Sequence, residues 1–461
     1  MQFRVDRDSL GEFKIPSNAY YGPFTARALS NYKVTGTRSH PNIIKAYVMI
    51  KRSAALANMQ LRKLDSKKGK AIVKTCDEVL HGSLLDQFVV DAINSGAGTA
   101  FNMNVNEVIA NRTLEIVRRK RGDYKYISPN DDVNMSQSSN DTFPTALHVA
   151  ILLDANELIS TVTKLLNSLR KKSREFNKVA KVGRTHLMDA LPITLGMEFE
   201  AYVTAVESAR NAIEVARKEL EHVALGGTAV GTGANAPKGY RTLAVKNLSK
   251  ISGLNLKPIK DMRYGLQSRF AVANFSSALR NLALELIRIA NDIRLMASGP
   301  IAGLAEVTIP AIHAGSSIMP GKVNPSLAES LNMVCFNVVG NDLSVALAVQ
   351  AGQFELNVML PVMAKCVLES VDMLKNILPV FSNNMIDGLQ ANKEKLESYI
   401  EKSPVLVTLL APYIGYMKAA ELYKEALKKN TSVRELVVKK GLMRKEVVDK
   451  VLNKKNVLRS D

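Results

Sequence analysis

Three cysteines are all the sequence has: Cys76, Cys335 and Cys366, far apart and without CxxC spacing. That excludes a disulfide framework and argues against a zinc centre, so buried free thiols in a reducing compartment are expected. No run of about 18 uncharged apolar residues is present, and no membrane-spanning helix is expected. The first ten residues carry Asp6, Arg7 and Asp8 and no apolar stretch. They do not resemble a secretory signal, and a cytoplasmic location is the expectation. No low-complexity linker, internal repeat or alternating strand–helix pattern occurs, so a doubly wound nucleotide-binding sheet is not expected. Acidic residues are also scarce, with 43 Asp and Glu against 62 Lys and Arg, a net charge of +19. Such a surplus can serve nucleic acid, anionic lipid or a small acidic ligand. Here it is scattered in pairs such as Lys428-Lys429, Lys439-Lys440 and Lys454-Lys455, with one denser run, Arg118-Arg119-Lys120-Arg121. No aromatic-interleaved basic stripe and no Cys/His finger accompanies it. Nucleic acid and membrane are therefore not expected partners, and attraction of a small anion is the compatible use.

What the chain does have is helical period. Phe275, Leu279, Leu282, Leu286, Ile289, Ile293 and Met296 recur in alternating steps of four and three, and the seam stops at Ser298-Gly299-Pro300. A second seam runs through Leu195, Phe199, Val203, Val206, Ile213 and Leu220. A third starts at Pro144, placed for a first helical turn, and reaches about Phe176. Helices of about 25 residues with one apolar seam belong in bundles. The expected fold class is all-α, a long-helix bundle. Three zones are expected: residues 1–135 with short helices and loops, 136–355 with long helices, and 356–461 with shorter helices ending in a lysine-rich helical segment, Ser432 to Val451.

Four polar segments interrupt this pattern. They are Ser95-Gly96-Ala97-Gly98-Thr99 with the following Asn102, Asn104 and Asn106; Pro129 to Asp141; Gly183-Arg184-Thr185-His186; and Gly315 to Pro325. Hydroxyl and amide side chains favour caps and turns over helix interiors, so each segment alone reads as a cap. Four of them, one with a histidine and one with a lysine, point to a shared anion site. The stretch Gly226-Gly227-Thr228-Ala229-Val230-Gly231-Thr232-Gly233 lacks a Gly-Lys-Ser/Thr ending and follows a helix, so it reads as a close-packed turn rather than a phosphate loop. His148 reads as core and His313 as structural.

GSSIMPGKVNP at 315–325 resembles the signature motif of the fumarase/aspartase superfamily. The resemblance extends through NMNVNEVIANR at 102–112, PNDDVNMSQSSND at 129–141, GRTHLMDALPITLG at 183–196, ALGGTAVGTG at 224–233, SGPIAGLAEVTIP at 298–310 and GQFELNV at 352–358. It covers roughly residues 5 to 455. Within the superfamily Ser138-Ser139-Asn140, Gly321, Gly227 and Phe354-Glu355 resemble the class II fumarase form, whereas Ala97 in SGAGT, with Ala100 and Phe101, resembles the aspartase form.

The resemblance implies a twenty-helix core in a homotetramer, with each active site built from three subunits. It also implies neither metal nor cofactor, and reversible addition of water to fumarate to give L-malate. Elimination of ammonia from L-aspartate is the alternative. The implied base for the C3 proton is Ser316, its oxyanion stabilised by Lys322 and loop amides. Lys322 and Asn324 would grip the carboxylate whose charge grows, with Ser317 and Val323 as further contacts. His186 is the implied proton donor to the leaving hydroxyl, oriented by Glu329. Ala97, Gly98, Thr99, Ser138, Ser139, Asn140 and Thr185 are the implied dicarboxylate contacts. Fumarases carry a second anion site beside PNDD. In this chain Lys125, Ser128, Pro129, Asn130 and Asp131 stand there, without the usual arginine and histidine, and a weakened or absent site is expected.

Overall fold

The computed structural model describes residues 2–315 and 317–453. It opens with a hairpin of two six-residue strands, β1 (Phe3–Asp8) and β2 (Gly11–Pro16), antiparallel in register Asp8↔Gly11. Helices and loops were expected there. In β1 the inner face carries Asp6, paired to Arg4 at 3.0 Å, while the alternating Phe3 and Val5 are exposed, so the apolar signal is short and points to the wrong face. Next come α1 (Pro23–Asn31), α2 (Pro41–Gln60), α3 (Ser66–Leu80) and α4 (Thr99–Ile116). The last three are longer than the short helices expected of this zone. In α4 the asparagines read as part of a polar segment are buried inside the helix, and all but Asn106 Oδ1 find partners for their side-chain oxygens. Asn104 accepts from Val89 N at 3.0 Å and donates to Gln87 O at 3.1 Å, and Asn111 donates to Tyr20 O at 2.8 Å.

The long helix α5 (Ser139–Glu175) has 37 residues. It begins a turn and a half before Pro144, which lies inside it and not in its first turn as expected. Strands β3 (Ala180–Thr185) and β4 (Met188–Thr194) form a hairpin that the sequence did not announce. Its two-residue turn is His186-Leu187, where Asn-Gly is the usual signal. Then follow α6 (Leu195–Glu219), α7 (Tyr240–Ser252), α8 (Met262–Gln267), α9 (Phe270–Met296), α10 (Ser326–Gln350) and α11 (Leu360–Phe381). Helices α6 and α9 match the two seams read from the sequence. The chain closes with α12 (Lys393–Lys402), α13 (Val407–Ile414), α14 (Tyr416–Lys429), α15 (Val433–Lys439) and α16 (Lys445–Val451). The single helical segment expected from Ser432 is thus two helices, parted at Gly441 with φ +65°.

Among the described residues α10 is the one helix long and apolar enough to cross a membrane by length and composition. The sequence reading expected none. Its apolar run is broken by buried Asp342, which accepts from Ser276 Oγ at 2.6 Å and pairs with Arg280 at 3.3 Å.

The chain forms two compact units. One comprises Met1–Ile159, Asn211–Ala283 and Phe336–Lys375; the other comprises Ser160–Arg210, Leu284–Cys335 and Asn376–Asp461. Every boundary falls within α5, α6, α9, α10 or α11, so the zones 1–135, 136–355 and 356–461 remain a division proposed from the sequence. The first unit centres on Tyr47, which meets Phe101 and Phe143 edge-on at 5.3 and 5.7 Å. In the second, Phe199 stacks edge-on against Phe176 and Tyr202 at 5.5 and 5.4 Å. The same unit holds a C-terminal cluster that includes Leu410, Leu422, Val437 and Val448. All three cysteines are buried and free.

Candidate active site

Two helices begin together in the first unit. Ahead of α4, Ser95 Oγ accepts from Ala100 N at 2.8 Å, and Ala97 and Gly98 take left-handed φ of +54° and +64°. A Cβ at Gly98 would fall on the Phe143 ring, so only glycine fits this close approach. Ahead of α5, Ser138 Oγ accepts from Asn140 N at 3.2 Å while Ser138 N donates to Asp141 Oδ1 at 3.0 Å, a reciprocal capping box. The two ends are joined by Thr99 Oγ1 and Ser139 Oγ, 3.0 Å apart. Asn140 Nδ2 donates to Ala229 O at 2.8 Å, and Asp141 Oδ2 accepts from Gly226 N and Thr228 N at 3.0 and 2.9 Å. The glycine-rich stretch is therefore a close-packed turn docked on the start of α5, as its sequence indicated. Thr99, Ser138, Ser139 and Asn140 thus gather where two helices point their positive ends, a setting that favours a carboxylate.

Beneath them lies a residue that sequence reasoning missed. Lys51 of α2 is fully buried; its Nζ donates to Asn102 Oδ1 at 2.7 Å and to Asn134 Oδ1 at 2.9 Å. It ties the first turn of α4 to the segment before α5. Burial lowers its pKa to about 7 and raises that of Asp141 to about 6. A signal existed: Lys51 falls four residues after Tyr47 and three before Ala54, in the apolar phase of its helix.

The second unit holds the other implied groups. His186 and Leu187 have φ of +55° and +61°, so the exposed histidine sits at the strained tip of the β3–β4 hairpin. From β3, Arg184, two residues before the tip, and Lys181 pair with buried Glu306 at 2.7 and 3.0 Å, and Lys181 also reaches Glu198 at 2.6 Å. Ser403 Oγ donates to Asp189 Oδ2 at 2.7 Å on the returning strand. Thr185, Ser317, Lys322 and Val323 are exposed, and Asn324 is half-buried just before α10. Gly315, with φ +90°, lies so near the Lys322 carbonyl that a Cβ would stand 2.9 Å from it. The proposed base Ser316 lies outside the described residues. Glu329, in the first turn of α10, pairs with Arg294 at 3.6 Å; among the described residues no hydrogen bond or ion pair joins it to His186. The implied site residues are thus shared between the two units, the hydroxyl cluster in one and the hairpin and loop in the other.

Other charged features have local partners. Ser128 Oγ lies 2.9 Å from Asp131 Oδ2 and caps Asp131 N at 3.0 Å; Asp132 pairs with Lys68 at 3.1 Å. In the basic run, Arg119 pairs with Asp123 at 3.1 Å and Arg121 with Glu115 at 2.6 Å. His148 is buried as expected and donates from Nδ1 to His222 O at 3.0 Å; burial, with Arg269 nearby, lowers its pKa to about 3. His313 is exposed, 3.2 Å from Ser326 Oγ. His40, Asp154 and Asp372 place possible metal-ligating atoms within 4.8 Å of one another. Lys375 pairs with both carboxylates, at 3.1 Å from Asp154 and 3.6 Å from Asp372.

Paired helix ends with convergent hydroxyls thus stand in one unit, and a histidine on a strained turn and an exposed lysine in the loop before α10 stand in the other. A lyase family model matches residues 11–340, and one for the fumarase C C-terminus matches residues 406–459. An aspartate ammonia-lyase of Bacillus sp. is 47% identical, over 98% of this chain and 96% of that protein. A class II fumarate hydratase of Helicobacter pylori is 42% identical, over 97% of each. The crystal structure of a class II fumarase from Schistosoma mansoni superposes with a TM-score of 0.95 at 38% identity, covering 98% of both chains. The chain belongs to the fumarase/aspartase superfamily of lyases, and its fold is the superfamily's all-α bundle.

Proposed function

We propose that this lyase forms fumarate by removing the C3 proton of a four-carbon dicarboxylate and expelling the C2 substituent, with L-aspartate as substrate and ammonia as leaving group. Ala97 carries the choice of leaving group. It is 3% exposed beside Thr99, and its methyl offers no hydrogen bond to a hydroxyl or water. Relatives named aspartate ammonia-lyase reach 47% and 45% identity, against 42% for those named class II fumarate hydratase.

Proton removal loads a second negative charge onto the adjacent carboxylate, and the site must stabilise that developing charge. In this reading Lys322 and Asn324 hold the growing charge, while Thr99, Ser138, Ser139 and Asn140 hold the dicarboxylate. Ser316 takes the proton. An ammonium leaves without further protonation, so His186 serves the substrate carboxylate more than the leaving group. One stripe of α10 exposes Phe336, Leu343 and Leu347, in steps of seven and four. Such a face favours burial against further copies, and a homotetramer that shares its sites between subunits is the assembly proposed.

Fumarate hydratase is the second reading, favoured by Ser138-Ser139-Asn140, Gly227 and Gly321. There His186 must protonate the leaving hydroxyl, oriented by Glu329. Ultraviolet absorbance of fumarate separates the two. Purified protein is expected to produce it from L-aspartate; production from L-malate alone would transfer the proposal to the hydratase.

A further inference from the structure

Arg269 immediately precedes α9 and is 2% exposed. Its Nη2 donates to the Gly265 carbonyl, and its buried Nε has no partner. Among the described residues no carboxylate lies within ion-pair distance. A guanidinium taken from water without a counter-charge costs several kcal/mol, so such groups are normally paired. Arg269 instead lines a cavity of about 490 Å³ with Lys218, Glu219, His222, Tyr264 and Ser268. Glu219, the one acid there, accepts from Asn274 Nδ2 at 2.8 Å. The cavity also meets the N-terminus of α9, whose 27 residues add partial positive charge.

We propose that this cavity binds a small oxyanion, carboxylate or phosphate, with Arg269 as its charge partner. None of its lining residues belongs to the hydroxyl cluster or the lysine loop, so the inference goes beyond the lyase reading and survives or fails independently of it. An anion at this point supplies the missing counter-charge, and the compact state gains stability by mass action.

Thermal unfolding of the full protein against inorganic phosphate, and separately against acetate, which lacks the second carboxylate of the lyase substrate, tests this at ionic strength held constant with sodium chloride. The wild type is expected to gain a few degrees with at least one of the two anions. The response names the class: phosphate alone, carboxylate alone, or either oxyanion. Arg269→Gln is expected to lose the gain and Arg269→Lys to keep part of it. A flat wild-type response, or an equal gain in Arg269→Gln, overturns the proposal. Should Arg269→Gln not fold, bromide-soaked wild-type crystals give the second readout. An anomalous peak beside the guanidinium is expected; a carboxylate of a second copy in that place, or no peak, overturns the site.

Discussion

Arg184 Nη2, two residues before the hairpin tip at His186, and Glu306 Oε1 stand 2.7 Å apart. Glu306 is fully buried and also holds Lys181 at 3.0 Å. Replacing it with glutamine takes the carboxylate from Arg184 and leaves buried Lys181 with Glu198. Breaking such a pair costs about 3–5 kcal/mol. Glu306→Gln is expected to destabilise by that order in denaturant unfolding and to lower turnover by loosening the hairpin. A loss under about 1 kcal/mol would show that the network does not fix the turn.

Thr99 and Ser139 share a 3.0 Å hydrogen bond at the junction of α4 and α5. If they face a substrate carboxylate, each contributes a hydrogen bond to a charged group, about 1.5–3 kcal/mol. Thr99→Val and Ser139→Ala are each expected to raise KM by about 10- to 100-fold, with a smaller effect on kcat. Steady-state kinetics with the preferred dicarboxylate measures the split. An unchanged KM would remove these hydroxyls from the binding site.

Lys51 is expected to matter without touching substrate. Lys51→Met strands the side-chain oxygen of Asn102, at about 1–3 kcal/mol for a buried acceptor left unpaired, and leaves Asn134 Oδ1 only the 3.3 Å bond from Asn102 Nδ2. The first turn of α4 and the loop before α5 then lose their shared anchor, and KM is expected to rise. Lys51→Arg, which keeps the charge and a donor, is expected to recover part of the binding. Equal KM in wild type and Lys51→Met would contradict the anchoring role.

His148 makes stability depend on acid. Its folded pKa of about 3 lies below the ordinary value of 6.5, so the unfolded chain binds the proton first. Its contribution is fully present above pH 6.5 and is lost as pH falls toward 3, at about 1.4 kcal/mol per pH unit. His148→Asn keeps a donor for the carbonyls of Leu220 and His222. Urea unfolding between pH 7 and 4 is expected to show a shallower fall for this variant; an identical slope would place the acid sensitivity elsewhere.

The long helices were legible because their apolar residues repeat in steps of three and four, as from Phe275 to Met296. The hydroxyl cluster was legible as residue types, since Ser138 and Thr99 occur where caps are needed. The hairpin was not. His186-Leu187 replaces the glycine that signals a tight turn, and the buried ion network below it leaves no apolar alternation. Lys51 and the four asparagines of α4 were hidden for a related reason. Propensity assigns such residues to the surface, whereas here Lys51, Asn102, Asn104 and Asn111 find partners inside. Arg269 shares that disguise, and its missing partner shows only when neighbours far apart in sequence are seen together.

Nuclear magnetic resonance of the reaction run from fumarate and ammonium in deuterated water tests the central claim most directly. The account predicts aspartate carrying a single deuterium at C3, placed there by the group that removes that proton in the forward direction. Malate as the sole product, or aspartate without deuterium at C3, would contradict it.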